Sequence, residues 1–419
     1  MSLEGKTSQT AIVCHDGNDL RTGMCSRRPD RPVAIVVVAM GRSSSSVRLS
    51  GEQREIPQPK DGEVQIQVAV TGLCGSDLHY YLHGANGIFK IREPLVLGHE
   101  AGGIISAVGP NVNSAFGLKV GDKVAMEVGV SCKSCKNCRK GRYNLCKNMR
   151  FASSAKTFPH LDGTLREVMT WPAELVYKLP PSLDLALAAL AEPLSVVLHA
   201  WRRANLQPGA KVLVIGTGAV GLLACALARA SGSTTVVAVD IEQGKLDFAQ
   251  QQNWTTGTFC LPRGPRVSGL EALEAAEKSW KALKESDAVQ SVEGLEDGFD
   301  AVFECTGVES CMQMAPMAAA IGTKVLYVGM GTKVLSLPCG PSLLSEVDLI
   351  GVFRYANTYP DALALLASGK LGDVGAMASH YYPLENAKDA FEDLKRGRDA
   401  NGKTVIKPMV GNLKLVGKA

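Results

Sequence analysis

The chain has 419 residues, of which 46% are hydrophobic and 21% are charged. This length predicts two or three domains, and the composition excludes collagen, a coiled coil and a largely disordered chain. The 45 basic and 41 acidic residues leave a net charge of only +4. We therefore expect no nucleic-acid partner and no anionic membrane surface.

The N-terminal segment shows no export signal. Residues 1–10 lack the basic start, the apolar stretch and the small-residue cleavage site of a secretory leader. The longest purely apolar run, residues 33–40, is far shorter than the roughly 20 residues that a membrane helix needs. We therefore expect a cytoplasmic protein with no membrane partner.

The first part of the chain, up to about residue 191, is typical of a mostly β domain. It contains short strand-like segments, many glycines and a cysteine-rich loop. Residues 22–53 differ from the rest of this part, because they combine an arginine-rich start, an apolar run and four consecutive serines.

Three residues of this part, Cys74, His99 and Glu100, are of the kinds that bind a catalytic zinc. Such a site needs about three protein ligands and a labile water. Each residue also has an ordinary explanation: a core thiol, an interior histidine and a solvated charge. The residues by themselves leave both interpretations open.

A second group of ligands is compact. Four cysteines lie within residues 132–146, namely Cys132, Cys135, Cys138 and Cys146. Four thiolates at this spacing can surround one Zn²⁺ tetrahedrally and leave no position for a substrate, which predicts a structural zinc. The alternative is four reduced surface cysteines without a metal.

From Lys211 onward the pattern predicts a doubly wound α/β domain. A buried strand, a glycine turn and a helix over residues 219–230 are followed by a strand over 235–240. Unbroken runs of β-branched residues are typical of strands that helices cover on both faces. Further strands are predicted over residues 299–304, 323–328 and 348–353. A peripheral helix is predicted over residues 270–283, with apolar side chains at positions 270, 273, 276, 280 and 283.

The glycine turn has the G-x-G-x-x-G pattern of a dinucleotide site, formed by Gly216, Gly218 and Gly221, with Val220 inside it. Its glycines permit a tight turn, a close approach of pyrophosphate and packing of the helix on the strand. Asp240 ends the next strand, where a carboxylate accepts ribose hydroxyls and repels a 2′-phosphate, which favours NAD over NADP. A glycine-rich turn that binds nothing is the alternative.

The C-terminal segment is too short to fold alone. Helices are predicted over residues 359–367 and 384–396. We expect this segment to return to the first domain.

Seven segments stand in the order seen in medium-chain zinc alcohol dehydrogenases. They are GLCGSDLHYY, PLVLGHEAGG, GRYNLC, AEPLSVVLHA, GTGAVG, FECTGVES and GVFRYANTYP. Over about residues 54–409 the chain most resembles the polyol branch of this family, the sorbitol and xylitol dehydrogenases. The resemblance implies a GroES-like, mostly β catalytic domain over residues 1–195 and 356–419, and a Rossmann NAD-binding domain over residues 196–355.

The resemblance also implies roles for individual residues. Cys74, His99 and Glu100 match the catalytic zinc ligands, and Glu192 matches an acid beside the metal that can exchange with Glu100. Ser76 and His79 match the family's proton relay. The positions that match substrate-contacting residues are Tyr80, Phe89, Phe353, Arg354 and Tyr355. For Arg354, the alternative is a surface arginine at a strand end with no contact to substrate.

The implied reaction is the oxidation of a polyol to a ketose, with hydride transfer to NAD and with catalytic and structural zinc. A homo-oligomer, a tetramer or a dimer, is expected by the same resemblance. Two alternatives remain: another zinc dehydrogenase, of the L-arabinitol or threonine type, and a non-catalytic NAD-binding scaffold. The stretches GVFRY and AEPLSV favour a polyol substrate, and the complete set of zinc ligands favours an enzyme.

The sequence departs from the family pattern in two places. Residues 22–53 look like an insertion, which would interrupt a strand pair of the first domain. Residues 153–161 replace a shorter turn near the substrate entrance, which would shift the preferred polyol length.

Overall fold

The computed structural model describes residues 9–14, 33–42, 46–331 and 334–418. Its strands are β1 (Gln9–Cys14), β2 (Val33–Arg42), β3 (Ser46–Glu55), β4 (Glu63–Gly72), β5 (Ala85–Asn86), β6 (Phe89–Lys90), β7 (Leu95–Val96), β8 (Glu100–Val108), β9 (Lys123–Met126), β10 (Gly129–Val130), β11 (Arg150–Phe151), β12 (Val168–Pro172), β13 (Val176–Lys178), β14 (Lys211–Ile215), β15 (Thr235–Asp240), β16 (Gly257–Cys260), β17 (Phe299–Glu304), β18 (Ala319–Tyr327), β19 (Asp348–Gly351), β20 (His380–Pro383) and β21 (Pro408–Gly411). Its helices are α1 (Gly75–His83), α2 (Lys136–Arg139), α3 (Leu185–Ala204), α4 (Ala219–Ala230), α5 (Gln243–Gln251), α6 (Gly269–Lys284), α7 (Asp287–Gln290), α8 (Glu309–Ala318), α9 (Cys339–Leu344), α10 (Tyr359–Ser368) and α11 (Ala387–Arg396).

The chain divides into two compact units. The first unit comprises Met1–Glu192, Tyr359–Ala367 and Gly375–Ala419, and the second comprises Pro193–Thr358 and Ser368–Val374. The first change of unit therefore falls inside α3. By length and composition alone, this helix could cross a membrane, but 72% of its most apolar window is buried in the protein, as in the core helix of a globular domain.

The first unit is built on a seven-stranded sheet in the order β13-β9-β8-β4-β21-β20, with β12 also paired to β4. The strand β21 pairs antiparallel with β4, so the C-terminal segment completes this sheet. A hydrophobic core packs against it, in which Tyr80, Leu95, Leu97 and Phe391 are almost fully buried. The strands β4 and β8 lie side by side in this sheet.

A smaller sheet of the first unit has the order β2-β3-β1-β7. The strand β1 pairs antiparallel with β3, from Gln9 opposite Arg54 to Cys14 opposite Leu49. An interruption of the strand pairing was expected from residues 22–53. Instead, residues 46–53 lie within β3 and supply the partner of β1.

The second unit is the predicted doubly wound domain. Its six parallel strands follow the order β16-β15-β14-β17-β18-β19. The chain starts at the central strand β14, adds β15 and β16 on one side, and then returns to add β17, β18 and β19 on the other side. The predicted helix over residues 219–230 and the predicted strand over 299–304 are confirmed without change as α4 and β17. The strand β18 begins earlier than predicted, at Ala319, and β19 ends earlier, at Gly351.

The peripheral helix is also present as α6, but its predicted apolar face is wrong at one position. Leu270 is 77% exposed, whereas Ala272, Ala276 and Leu283 are buried. Since Leu270 lies in the first turn, the buried face begins after it and follows the i, i+4 spacing of a helix.

Candidate active site and cofactor sites

The geometry of the sheet explains how Cys74 meets His99 and Glu100. In the register of β4 and β8, Gly72 lies opposite Glu100, so the end of one strand faces the start of the other. Cys74 follows directly as the residue that precedes α1. The ligand atoms of the three side chains, a thiol sulfur, a ring nitrogen and a carboxylate oxygen, lie within 4.8 Å of one another. This donor set fits one zinc ion with a remaining position for a further ligand.

The side chains of this cluster are largely removed from solvent. His99 is 5% exposed and Glu100 is 1% exposed. Burial makes the orientation of each ligand depend on protein neighbours rather than on water.

Asp77 holds His99 in place, and sequence reasoning missed it. Its Oδ1 lies 3.3 Å from His99 Nδ1 and accepts hydrogen bonds from the Ser153 hydroxyl at 2.6 Å and the Gly98 N–H at 3.1 Å. Its Oδ2 accepts the Cys74 N–H at 3.2 Å. Burial would raise the pKa of Asp77, but the His99 imidazole, the Ser153 hydroxyl and the Gly98 N–H lower it. A carboxylate on Nδ1 leaves Nε2 of His99 for a metal.

A buried lysine, also missed, fixes the carboxylate of Glu100. Lys407 is 2% exposed, and its ammonium lies 2.5 Å from Glu100 Oε2 and donates to the Leu73 carbonyl at 3.2 Å. Burial would lower the pKa of Lys407, but the charges of Glu100 and Cys74 raise it. The lysine therefore stays charged and offsets the negative charge of the ligand set.

Two local signals could have identified these supports. Asp77 is the third residue of α1, where an acidic side chain caps the N–H groups at the helix start. Lys407 interrupts the apolar run 405–410, and a charge inside a buried apolar run needs a partner. Neither signal alone predicts which residue the side chain contacts. For Lys407, the contact with Glu100 depends on the pairing of β21 with β4.

The four-cysteine cluster is closed. Its sulfur atoms all lie within 4.8 Å of one another, with 3.5 Å between Cys135 and Cys138 and 3.5 Å between Cys146 and Cys132. The N–H groups of Ser134 and Cys135 lower the pKa of the Cys132 thiol to about 6, whereas burial raises that of Cys146 to about 11. Four sulfur donors fit a structural zinc and leave no position for substrate.

The glycine turn of the second unit has the geometry of a phosphate cradle. Gly216 has φ +93°, which glycine adopts without strain, and it directly follows β14. A Cβ on Gly221 would lie 1.7 Å from the Gly216 carbonyl oxygen, so only glycine fits there. Gly218 precedes α4, whose first N–H groups point at this turn, and Val220 lies in its first turn. These residues fit the pyrophosphate of a dinucleotide.

Asp240 is joined to this turn. Its Oδ2 accepts the Thr217 N–H at 2.6 Å and the Thr217 hydroxyl at 2.8 Å. Sequence reasoning missed a second carboxylate nearby: Glu304 is fully buried at the end of β17 and accepts the N–H groups of Thr306 and Gly307. The loop that Glu304 shapes lies against Gly216, since a Cβ there would lie 2.5 Å from the Thr306 methyl carbon.

Comparison with known proteins identifies the family. The model for the alcohol dehydrogenase GroES-like domain matches residues 60–181, and the model for zinc-binding dehydrogenases matches residues 219–368. D-xylulose reductase A of Aspergillus oryzae is 40% identical over 349 residues, which are 83% of this chain and 90% of that protein. The chain belongs to the polyol branch of the medium-chain zinc-dependent alcohol dehydrogenases. A probable D-xylulose reductase A of Emericella nidulans is 39% identical over 84% of this chain and 91% of that protein.

Solved structures of similar dehydrogenases share the fold. The 2R,3R-butanediol dehydrogenase of Bacillus subtilis is 25% identical, with a TM-score of 0.70 over 96% of this chain and 99% of that one. The alcohol dehydrogenase TADH of Thermus sp. ATN1 is 26% identical, with a TM-score of 0.71 over 90% and 99%. The predicted fold class, a GroES-like mostly β domain with a Rossmann domain, is therefore confirmed. Zinc and NAD, predicted from the sequence, are the cofactors of this dehydrogenase family, and the residues present fit both.

Ser76 lies beside the metal ligands, with its Oγ 3.4 Å from His99 Nε2. His79 lies three residues further along α1, on the same face of the helix, and is half-buried. Glu192 is 5% exposed, and its charge acts on Lys407, but its carboxylate is not part of the 4.8 Å donor cluster found among the described residues.

The residues matched to substrate contacts have different surroundings. Tyr80 is 2% exposed, lies in the hydrophobic core and accepts the Ala155 N–H at 3.0 Å, while Phe89 packs at the edge of that core. In the second unit, the Arg354 guanidinium lies 4.9 Å from the centre of the Phe353 ring, and Tyr355 is 3% exposed. Their substrate roles stay predictions.

Residues 153–161, a departure from the family pattern, are tied into the first unit. Ser153 contacts Asp77, and its N–H donates to the Leu161 carbonyl at 3.0 Å. His160 accepts the Arg92 N–H at 2.9 Å. This segment therefore reaches the zinc ligands through Asp77, although its effect on polyol length stays a prediction.

Proposed function

We propose that this dehydrogenase interconverts a pentitol of the xylitol type and its ketose, D-xylulose, with NAD. The observation that carries the proposal is the convergence of the Cys74, His99 and Glu100 donor atoms within 4.8 Å. The choice of polyol is supported by relatives named D-xylulose reductase, at 39–40% identity over most of both chains.

The chain's own residues would hold the metal and the cofactor. Cys74, His99 and Glu100 would bind the catalytic zinc, with Asp77 orienting the imidazole and Lys407 the carboxylate. When bound, zinc makes a substrate hydroxyl more acidic and NAD accepts the hydride from the carbinol carbon. Glu192 would act through water or exchange with Glu100 as ligand.

The proton of the substrate hydroxyl needs a route to solvent. Ser76 Oγ lies beside His99 and would accept this proton while passing its own to His79. His79 is half-buried on the same helix face, so its imidazole can exchange the proton with water. The net reaction removes one hydride and one proton from the carbinol and leaves a ketone.

The second unit would bind NAD. The N–H groups at the start of α4 would bind the pyrophosphate, and the three glycines would keep side chains out of its path. Asp240 would accept the adenosine ribose hydroxyls, since its position at the end of β15 is the usual one for that contact.

The test is a panel of initial rates of NADH formation with xylitol, sorbitol, L-arabinitol and threonine. We expect the highest kcat/KM with xylitol and no turnover of threonine. The matched variants Cys74→Ala and His99→Ala should lose turnover by more than about 1000-fold while binding NADH normally. A preference for threonine would contradict the polyol assignment, and full turnover by either variant would contradict the assigned zinc site.

We also propose an oligomeric state and a location. A homo-oligomer, a dimer or a tetramer, is supported by exposed apolar side chains near the outer strand β19, since Leu343 is 77% and Leu344 is 92% exposed. A cytoplasmic location is supported by the free thiols of ten cysteines, as in a reducing compartment; they are Cys74, Cys132, Cys135, Cys138, Cys146, Cys225, Cys260, Cys305, Cys311 and Cys339. Light scattering and cell fractionation test the two.

A further inference from the structure

The corner next to Asp240 contains a charge pair with no role in the reaction described above. Asp240 is fixed at both oxygens, because Oδ2 accepts two bonds from Thr217 and Oδ1 accepts the Glu242 N–H at 2.9 Å. Its carboxylate therefore cannot turn away from the position where the adenosine ribose is expected. Any further contribution to the preference for NAD over NADP must therefore come from residues next to Asp240.

The neighbouring strand brings an arginine to this corner. Asp240 is the register partner of Cys260, and its carbonyl accepts the Leu261 N–H at 2.9 Å. The loop that follows β16 therefore leaves the sheet beside Asp240. Arg263 belongs to this loop, and its guanidinium forms an ion pair with the carboxylate of Glu242.

The two partners differ in exposure. The Glu242 side chain is 11% exposed, whereas the Arg263 side chain is 65% exposed. Glu242 is thus the fixed partner, and Arg263 is the one that can move if it is released. An arginine fork binds a phosphate with two parallel hydrogen bonds, and an arginine near this ribose is the usual support for a 2′-phosphate.

We propose that Glu242 is a specificity-determining residue, which excludes NADP by holding Arg263. With the pair intact, a 2′-phosphate meets the carboxylate of Asp240 and an arginine whose guanidinium is already occupied. Without the Glu242 carboxylate, the same arginine becomes free to bind the 2′-phosphate. This inference rests on the proposed binding of NAD at the glycine turn.

The experiment compares the dissociation constants of NADH and NADPH by fluorescence titration of the purified, zinc-loaded chain, without any polyol. We expect Glu242→Gln to tighten NADPH relative to NADH by about tenfold, the scale of one added charge-assisted contact. The double variant Glu242→Gln with Arg263→Ala should return the ratio to within about threefold of the wild type. Arg263→Ala alone should shift the ratio the opposite way, toward NADH, because it uncovers the Glu242 carboxylate.

A matched control removes the same charge elsewhere. Glu285, the residue that follows α6, forms a surface ion pair at 4.0 Å with Lys281 of that helix. Glu285→Gln should leave the NADPH to NADH ratio unchanged. An equal shift in this control would show a general effect of net charge and would overturn the inference.

The remaining outcomes separate this inference from the proposed function. An unchanged ratio in Glu242→Gln, or a gain that survives in the double variant, overturns the role of the ion pair. If Glu242→Gln does not fold, Arg263→Ala becomes the deciding variant, because it changes an exposed side chain. If the affinity of that variant for NADPH relative to NADH does not fall, the inference is overturned. A wild-type chain that binds no NADH contradicts the proposed function itself.

Discussion

The two candidate zinc sites of the first unit differ in how their ligands are brought together. The four cysteines lie within one short loop, and two of their thiols gain acidity from N–H groups of the same loop. The proposed catalytic ligands come from the ends of two strands and depend on Asp77, in the helix that follows Cys74, and on Lys407, which lies 307 residues after Glu100. The first site needs only its loop, whereas the second needs the folded sheet.

This difference predicts opposite consequences for the loss of one sulfur at each site. Cys138→Ser should remove one zinc and lower the free energy of unfolding by several kcal/mol, because a structural zinc contributes about 10 kcal/mol to small zinc-dependent folds. Cys74→Ser should remove the other zinc and abolish turnover, but keep most of the thermal stability. Zinc content, Tm and NADH formation measure the three effects. Equal losses of Tm in both variants would contradict the distinction between the sites.

The next largest effect tests the dependence of the catalytic site on the sheet. Lys407→Met should lower the free energy of unfolding by about 3–5 kcal/mol, because it leaves the Glu100 carboxylate buried without its cation. Lys407→Arg keeps the charge and should recover part of the loss. Denaturant unfolding measures both variants. A methionine variant as stable as the wild type would show that Glu100 does not need this partner.

A smaller effect concerns the orientation of His99. Asp77→Asn keeps the shape of the side chain but loses the carboxylate charge on Nδ1, so zinc affinity at the catalytic site should fall by about 10–100-fold. The four-cysteine site serves as the internal control and should keep its zinc. Competition with a chelator measures the two zincs separately. Loss of both zincs together would point to misfolding rather than to the proposed orientation.

The same contrast explains what the sequence could predict. The spacing of Cys132, Cys135, Cys138 and Cys146 and the glycine turn are local patterns, and the structure places each group together. Cys74 and Glu100 become neighbours only through the pairing of β4 with β8, so their residue types alone left the interpretation open. The sequence gives no spacing rule for Lys407, since its contact with Glu100 depends on the return of the C-terminal segment as β21.

The exposure of Leu270 shows a limit of predicting burial from helical periodicity. Helical periodicity predicts which residues lie on one face, and α6 follows it at Ala276 and Leu283. Periodicity does not predict which turns of a helix the rest of the fold covers, and Leu270, in the first turn, is 77% exposed. Predicting the fold class requires only the average hydrophobic pattern, whereas predicting a site requires the contacts of individual residues.

The smallest expected effect is a pH dependence where the four-cysteine loop joins the sheet. Glu127 is 2% exposed and accepts hydroxyl hydrogen bonds from Tyr143, in that loop, at 2.7 Å and from Tyr177 at 2.9 Å. Burial raises the pKa of Glu127, although the two hydroxyls lower it in part. A carboxyl with a raised pKa in the folded state stabilises fully below its ordinary pKa, and this stabilisation is lost as the pH rises through the raised value.

Glu127→Gln removes the titration, so its free energy of unfolding should rise relative to that of the wild type as the pH increases above the ordinary carboxyl pKa, and denaturant unfolding over a pH series measures this difference. Tyr177→Phe removes one donor that favours the ionised form, so its loss of stability should grow over the same range. The opposite signs of the two variants separate titration of Glu127 from a general effect of pH on the zinc thiolates. That general effect would move the wild type and both variants in parallel, and parallel curves would therefore contradict the assignment to Glu127.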